Sequence, residues 1–299
     1  MVDDAADSGV GAGTISWRQL LAETAALHGR PQARWLCEEA SGAFGDEFTE
    51  LLDLPVTERS IAHLDSMLAR LVQGEPLQYV LGHWSFRRLD LLVDRRVLIP
   101  RPETELVAEV ALELARSCGR EWPERPLPVV DLGTGSGAIG LSLAFELPRG
   151  SVEVWLTDLS AEALDVARAN TAGLGMAGAA VKFGHGAWFE ALPSSLRGSL
   201  ALVVSNPPYI AHDDPGVALD VREWEPAQAL FADDDGLADV RAIAVGSAEW
   251  LRPGGWLVLE IGSAQGVAVA ELLAAVGLVQ VEVRADLAGR DRIAIARRP

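Results

Sequence analysis

Cysteine is nearly absent from this chain: of 299 residues, only Cys37 and Cys118 carry a thiol. Two such isolated thiols build neither a zinc ligand set nor a disulfide framework, so both are read as inert residues in helical patterns. Long apolar runs are also missing. None reaches the roughly 20 residues that a membrane helix needs. The acidic start Met1-Val2-Asp3-Asp4 lacks the basic and apolar pattern of a secretory leader, and a cytoplasmic protein is expected. Positive charge is scarce as well, with 25 Lys and Arg against 43 Asp and Glu and a formal net charge of −18. Binding a phosphate backbone takes clustered Lys and Arg, so a directly bound nucleic acid is opposed. Arg87, Arg88, Arg95, Arg96 and Arg101 form the one candidate basic patch, and a solvated hairpin edge accounts for them equally well. The five histidines show no metal-ligand spacing, and His212 is read as an exposed loop residue.

What is present suits a two-part enzyme. With 49% hydrophobic residues, the chain can fill a Rossmann-like domain of about 200 residues and a smaller one. Residues 1–13, rich in Asp, Ala and Gly without period, are expected to be disordered. Residues 14–74 read as a helical domain with helices over 16–28, 31–40, 46–52 and 57–72. In the last, Ile61, Leu64, Leu68, Leu71 and Val72 recur at helical spacing and predict one packed face. Residues 75–102, punctuated at Gly74-Glu75-Pro76 and Gly82, predict a β-hairpin linker. Residues 103–299 then open with a helix over 103–118 and alternate strands with helices, which predicts an α/β domain with a parallel sheet and a closing antiparallel strand.

Two motifs carry chemistry. The apolar run Leu200–Val204 predicts a buried strand, and it runs into Asn206-Pro207-Pro208-Tyr209. The motif thus falls where open α/β sheets place their ligands. Two prolines fix their own φ and keep the preceding residue extended, so Asn206 is held on a stiff turn that can aim an amide at a small planar group. The second motif is the strand Leu127–Leu132, the loop Gly133-Thr134-Gly135-Ser136-Gly137, and an apolar helix over 138–147. Glycines let backbone approach a ligand, and a helix N-terminus offers unpaired N–H groups. Asp131 could take an ammonium group, and Asp158, ending the strand Val152–Thr157, suits two ribose hydroxyls. Gly135-Ser136-Gly137-Ala138-Ile139-Gly140 also matches a dinucleotide fingerprint. An acidic residue ahead of the glycines and a separate NPPY favour S-adenosyl-L-methionine over NAD.

Asp131–Gly137 together with Asn206–Tyr209 resembles class I methyltransferases acting on planar amide or exocyclic amine nitrogens. Val97-Leu-Ile-Pro-Arg-Pro-Glu-Thr-Glu105, Glu225-Pro226, Asp235-Gly236-Leu237, Leu259-Glu-Ile-Gly262 and Asp286–Arg292 resemble, in the same order, HemK-type enzymes, the release factor glutamine methyltransferases. The likeness covers residues 76–299. Arg88, Ala187 and Ala232-Asp233 depart from the family pattern, and none lies in the cofactor glycines or in NPPY. The resemblance implies a Rossmann-like sheet of order 3-2-1-4-5-7-6 and an N-terminal domain that helps recognise a protein substrate. It also implies methyl transfer from S-adenosyl-L-methionine, leaving S-adenosyl-L-homocysteine, to the N5 amide of the Gly-Gly-Gln glutamine of peptide chain release factors. By that likeness Gly133, Thr134, Gly135, Ser136 and Gly137 hold the methionine portion, Asp158 the ribose, and Trp188 covers the adenine. Asn206, Pro207, Pro208 and Tyr209 hold the acceptor amide, with Asn206 also bordering the cofactor. Glu225-Pro226 shapes the substrate loop, while Glu260 and Asp291 are read as structural. Two alternatives stand beside this: an adenine-N6 methyltransferase of DNA or RNA, which NPPY alone would fit, and a non-catalytic adaptor, which the filled motif positions oppose.

Overall fold

A computed structural model describes residues 15–299; the expected disordered start falls outside them. The described chain divides into two compact units, one ending at Leu81 and the other running Gly82–Pro299.

The first unit holds α1 (Trp17–His28), α2 (Arg30–Ser41), α3 (Asp46–Leu51), α4 (Glu58–Val72) and α5 (Leu77–Leu81). Ser16 and Gln19 form a reciprocal capping box that starts α1, and the Thr57 hydroxyl accepts from Ser60 N–H to start α4, which satisfies donors a helix otherwise leaves open. Trp17 packs edge-on to Phe48 with centroids 5.7 Å apart, and Leu36, Leu64 and Met67 are fully buried beside them in this unit. The expected α4 face is corrected at its end. Val72 is 83% exposed, and Met67 is buried in the stripe instead. The helical unit also outruns position 74, because Pro76 opens a further turn in which Val80 N–H donates to the Pro76 carbonyl, a place where proline has no N–H to lose.

The second unit begins with the hairpin β1 (His83–Phe86) and β2 (Leu89–Leu92), shorter than the 75–102 expected. It continues through α6 (Pro102–Glu121), β3 (Leu127–Leu132), α7 (Ala138–Glu146), β4 (Val152–Asp158), α8 (Ala161–Gly173), β5 (Val181–His185) and β6 (Leu200–Ser205). Then come β7 (Ile210–Ala211), α9 (Leu219–Trp224), β8 (Phe231–Ala232), the turn α10 (Asp233–Gly236), α11 (Ala238–Trp250), β9 (Leu251–Glu260), α12 (Gly266–Ala275), β10 (Val279–Ala285) and β11 (Asp291–Arg297). Seven of these strands form one sheet in the order β5-β4-β3-β6-β9-β11-β10. The first five are parallel, and β11 runs antiparallel to both neighbours. Counted along the chain within the sheet, that order is 3-2-1-4-5-7-6.

Helices cover both faces, so the central strands read as unbroken apolar runs instead of alternating ones. Successive residues of β3 serve opposite layers: Val129 packs with Leu112, Leu141 and Val204, and Val130 with Val203, Ile243 and Leu257. Chain direction across the sheet reverses between β3 and β6, and a crevice opens at their carboxyl ends. Both motifs end there.

Gly140 shows how tightly α7 meets the sheet. A Cβ there would lie 2.1 Å from Leu156 Cδ2 and 3.0 Å from Asp131 Cβ. Gly140→Ala is therefore expected to lower stability by about 1–3 kcal/mol through overpacking, measured as a shift of the urea unfolding midpoint. An unchanged midpoint would contradict the packing.

Candidate functional site

The glycine loop leaves β3 through three left-handed residues, Gly133, Gly135 and Gly137, at φ +68°, +54° and +90°, a region that side chains with a Cβ rarely enter. A Cβ on Gly137 would meet Leu141, whereas Gly135 has nothing within 4 Å of that position. Gly135 is thus the point at which a ligand can come against bare backbone. Thr134 N–H donates to the Thr157 carbonyl, which joins the loop to β4.

Asp131 is fully buried. Its Oδ2 accepts from Thr134 Oγ1 at 2.6 Å and from Gly140 N–H at 2.9 Å, while Oδ1 has no protein partner. Burial pushes this carboxyl up to about 7, against the lowering effect of those two bonds. A buried, unpaired carboxylate oxygen is costly unless a cation or donor arrives. Asp131 lines a small cavity of about 50 Å³ together with Ser136, Thr104 and Asn206, a setting that fits a ligand ammonium.

A larger cavity of about 270 Å³ adjoins it and shares Leu98, Gly133, Gly135 and Asn206. Asp158 lies on its wall. The Asp158 oxygens accept from the backbone N–H of Gly135 and Ser160 at 2.9 and 2.8 Å, and each retains lone-pair capacity for a hydroxyl. Burial raises this carboxyl above the usual range. Trp188 begins a one-turn 3₁₀ segment after β5 in a left-handed conformation, φ +46°, uncommon for a bulky residue and found where function holds strain. Its ring reaches the face of Gly133, and where burial raises the pKa of the Asp239 carboxyl, its side chain acts to lower it. Trp188 and Asp239 both line the cavity.

The NPPY segment leaves β6 at the same crevice, and Ser205 Oγ ties that strand end to β3 by donating to the Leu132 carbonyl at 2.6 Å. Asn206 borders both cavities and Pro208 the larger one. Pro207 is buried. Neither Pro207 nor Tyr209 is among the lining residues; Pro208, Pro226, Phe231 and Leu98 form the apolar wall instead. The Tyr209 hydroxyl donates to Glu260 Oε1 at 3.2 Å, and burial raises its pKa. Glu260 is itself buried at the end of β9, held up at about 6 chiefly by burial, and its Oε2 accepts from Thr104 Oγ1 at 2.7 Å. Phe231 and Gln228 lie outside the motifs read from the sequence, whereas Leu98 and Thr104 lie within Val97–Glu105 without a role of their own.

Glu225 is buried and accepts from Ile99 N–H at 3.1 Å. Arg101 also donates to it. This clamp draws the loop carrying Pro226 onto the segment carrying Leu98, and both border the larger cavity. Asp291 packs against Gly266 and lines neither cavity.

The candidate basic patch is internally partnered. Arg87 pairs with Glu109 and Glu146 at 2.6 and 2.7 Å, Arg96 with Asp94, and Arg101 with Glu225. Arg88 lies over Phe145 and Arg95 over Trp224. His212 stacks on Phe231 and lies 3.5 Å from Asp233. Among the described residues no helix is long and apolar enough to cross a membrane, and no group of His, Cys, Asp or Glu could hold a metal.

Comparison with known proteins agrees with this geometry. Residues 16–82 match the family model described as PrmC N-terminal domain, and residues 123–229 match methyltransferase small domain. A release factor glutamine methyltransferase of Xylella fastidiosa is 42% identical, covering 83% of this chain and 85% of its own length. One from Burkholderia pseudomallei is 40% identical over 89% and 91% of the two chains, and one from Moorella thermoacetica is 47% identical over 77% of each. In fold, a solved methyltransferase from Pyrococcus furiosus aligns with a TM-score of 0.50 at 14% identity, covering 78% of this chain and 98% of that one. With the sheet, the glycine loop, the NPPY turn and these relatives in agreement, the chain belongs to the release factor glutamine methyltransferases.

Proposed function

We propose that this chain transfers a methyl group from S-adenosyl-L-methionine to the side-chain N5 of the glutamine in the Gly-Gly-Gln motif of peptide chain release factors. The observation that carries the reading is the meeting of two features at one crevice: Asn206 borders both the cavity of the glycine loop and the small cavity that Asp131 lines. When bound, S-adenosyl-L-methionine supplies a sulfonium methyl, transferred as its carbon–sulfur bond breaks and a nitrogen–carbon bond forms.

The chain's own residues divide the remaining work. Asp131 takes the ammonium, the amides and hydroxyls of Gly133–Gly137 the rest of the amino-acid end, Asp158 the ribose hydroxyls, and Trp188 one face of the base. An amide nitrogen is a poor nucleophile because its lone pair is delocalised into the carbonyl. Asn206 Oδ1 and the Pro207 carbonyl each accept one N–H of the substrate amide, pinning that nitrogen and balancing the positive charge that grows on it. Orientation and electrostatic complementarity perform the catalysis. Pro208 and Phe231 border the amide plane, while Tyr209 is fixed through its hydroxyl on Glu260. No side chain need remove the proton before transfer; the methylated nitrogen sheds it to water.

A directly bound nucleic acid finds little support in a surface of net charge −18 whose candidate arginines already have acidic or aromatic partners. Incubation with methyl-labelled cofactor and either a release factor or oligonucleotides tests the acceptor: label is expected on the release factor alone. Asn206→Ala should lower turnover by about 100-fold or more, the scale of losing a transition-state hydrogen-bonding group, while calorimetry finds cofactor affinity little changed. Asp158→Ala should weaken cofactor binding about tenfold or more, as loss of a charged hydrogen bond does. Equal loss of cofactor affinity in both variants would overturn the division.

Asp131 gives a pH signature. Its carboxyl is raised to about 7 in the fold and sits near 4 in an unfolded chain. The folded form therefore holds a proton that the unfolded form has lost, and the ligand-free protein loses stability as pH climbs from about 4 to about 7 and then levels off. Ammonium binding needs the ionised form, so cofactor affinity should rise across the upper part of that interval. Asp131→Asn should make both profiles shallower, the remaining stability slope belonging to the other raised carboxyls, Asp158 and Glu260, as read by urea midpoints and calorimetry at pH 5.5 and 8.

A further inference from the structure

Beside Asn206, four buried or half-buried polar residues from three elements and the NPPY turn form one connected set. Thr104, in the first turn of α6, and Glu260, at the end of β9, are 4% and 1% exposed. Thr104 Oγ1 donates to Glu260 Oε2 at 2.7 Å, and Asn206 Nδ2 donates to Thr104 Oγ1 at 3.3 Å. The other carboxylate oxygen, Oε1, accepts from the Tyr209 hydroxyl at 3.2 Å. Arg292 Nη1 lies 3.4 Å from that hydroxyl and donates to the Ile261 carbonyl at 3.1 Å.

The direction of these bonds has a consequence for the amide. A carboxylate only accepts, and a hydroxyl has one proton. With the Thr104 proton committed to Glu260, its oxygen faces Asn206 with lone pairs alone. The Asn206 amide then satisfies it only through its NH₂ end, which leaves Oδ1 on the other side of the amide. A flipped amide would set oxygen against oxygen and strand both groups away from water, at the cost of unmet buried hydrogen bonds. Asn206 borders both cavities, so the selected end decides whether the crevice presents an acceptor or a donor.

We infer that Glu260, acting through Thr104, selects the orientation in which Asn206 Oδ1 faces the acceptor crevice, and that Thr104 and Glu260 are positioning residues for amide methylation. The inference rests on the glutamine-methylation reading above. The same carboxylate fixes the hydroxyl of Tyr209, so one buried group holds the first and last residues of the NPPY turn.

Thr104→Val is nearly isosteric and removes the hydroxyl that links Asn206 to Glu260, which keeps its Tyr209 donor. In the full-length chain, with a release factor and labelled cofactor, it should lower kcat about tenfold, the scale of one lost hydrogen bond. Cofactor affinity by calorimetry and KM for the release factor should stay within about twofold. Thr104→Ser, which restores the hydroxyl, should recover most of the rate. Coupling to Asn206 is read from a double-mutant cycle: Thr104→Val in an Asn206→Ala background should cost no more than about twofold, because the link then has nothing to orient. Glu260→Gln, which can donate to Thr104 and free its proton to point at Asn206, should reproduce the kcat loss if it folds; the valine variant decides the matter if it does not. The assignment is overturned if Thr104→Val turns over like wild type, if serine fails to rescue, if the loss lies equally in cofactor affinity, or if the double variant is additive. A wild-type chain that labels no release factor overturns the underlying reading, and this assignment with it. A wild-type chain that labels it, with valine equally fast, overturns the assignment alone.

Discussion

A carboxylate removed from water must find hydrogen-bond donors, meet a cation or take up a proton. Two such groups, Asp131 near the end of β3 and Glu260 at the end of β9, flank the crevice from which NPPY emerges. Each is nearly inaccessible, and burial raises the pKa of each. Their solutions differ. Glu260 is met on both oxygens by hydroxyls, Thr104 and Tyr209, with Arg292 near enough to favour its charge. Asp131 is met on one oxygen only. The satisfied carboxylate organises protein; the half-satisfied one keeps an oxygen with no protein donor. The parallel sheet makes this division possible, because β3, β6 and β9 are adjacent and end on the same side.

Much of this was legible in the residues themselves. Leu127–Leu132 and Leu200–Val204 are read as buried strands because both faces of a parallel sheet are covered, so their apolar runs do not alternate, and β3 and β6 occupy these spans, β6 extending one residue to Ser205. Asp131, Gly135, Asp158, Trp188 and Asn206 do converge on adjoining cavities. Tyr209 was harder. An aromatic at the end of a motif suggests a ring laid on a planar group, whereas its hydroxyl is bound to a buried carboxylate 51 residues further along the chain. No local pattern reports so distant a partner. Glu260 did carry a signal, an acidic residue ending the apolar run Leu257–Leu259, a position at which a charge must be either paired or functional. Val72 failed for the opposite reason: helical spacing put it on the packed face, but it is the last residue of α4, where the stripe runs out.

Charge offers a second contrast between composition and structure. Five arginines within 87–101 look like a phosphate-binding surface when counted. In the fold each has a partner, and the partners are structural: Arg87 joins the hairpin to α6 and α7 through Glu109 and Glu146. Arg101 joins the start of α6 to Glu225. An arginine whose guanidinium fork is already filled by a buried carboxylate contributes little to counterion release on a polyanion. Departure from the family pattern at Arg88 is absorbed in the same way, by stacking on Phe145.

The crevice also explains why an asparagine, and not an acid, stands at position 206. A carboxylate there would lie near the raised carboxyls of Asp131 and Glu260 and would face the same choice between a proton and a cation. If protonated, it would present a donor as well as an acceptor and lose its definite polarity. An amide is neutral at every relevant pH, so its Oδ1 remains an acceptor whatever the neighbouring carboxyls do. Its weakness is the twofold ambiguity of oxygen and nitrogen. The fixed polarity of the Glu260–Thr104 bond removes that ambiguity, using a buried charge to orient a neutral group that borders both cavities.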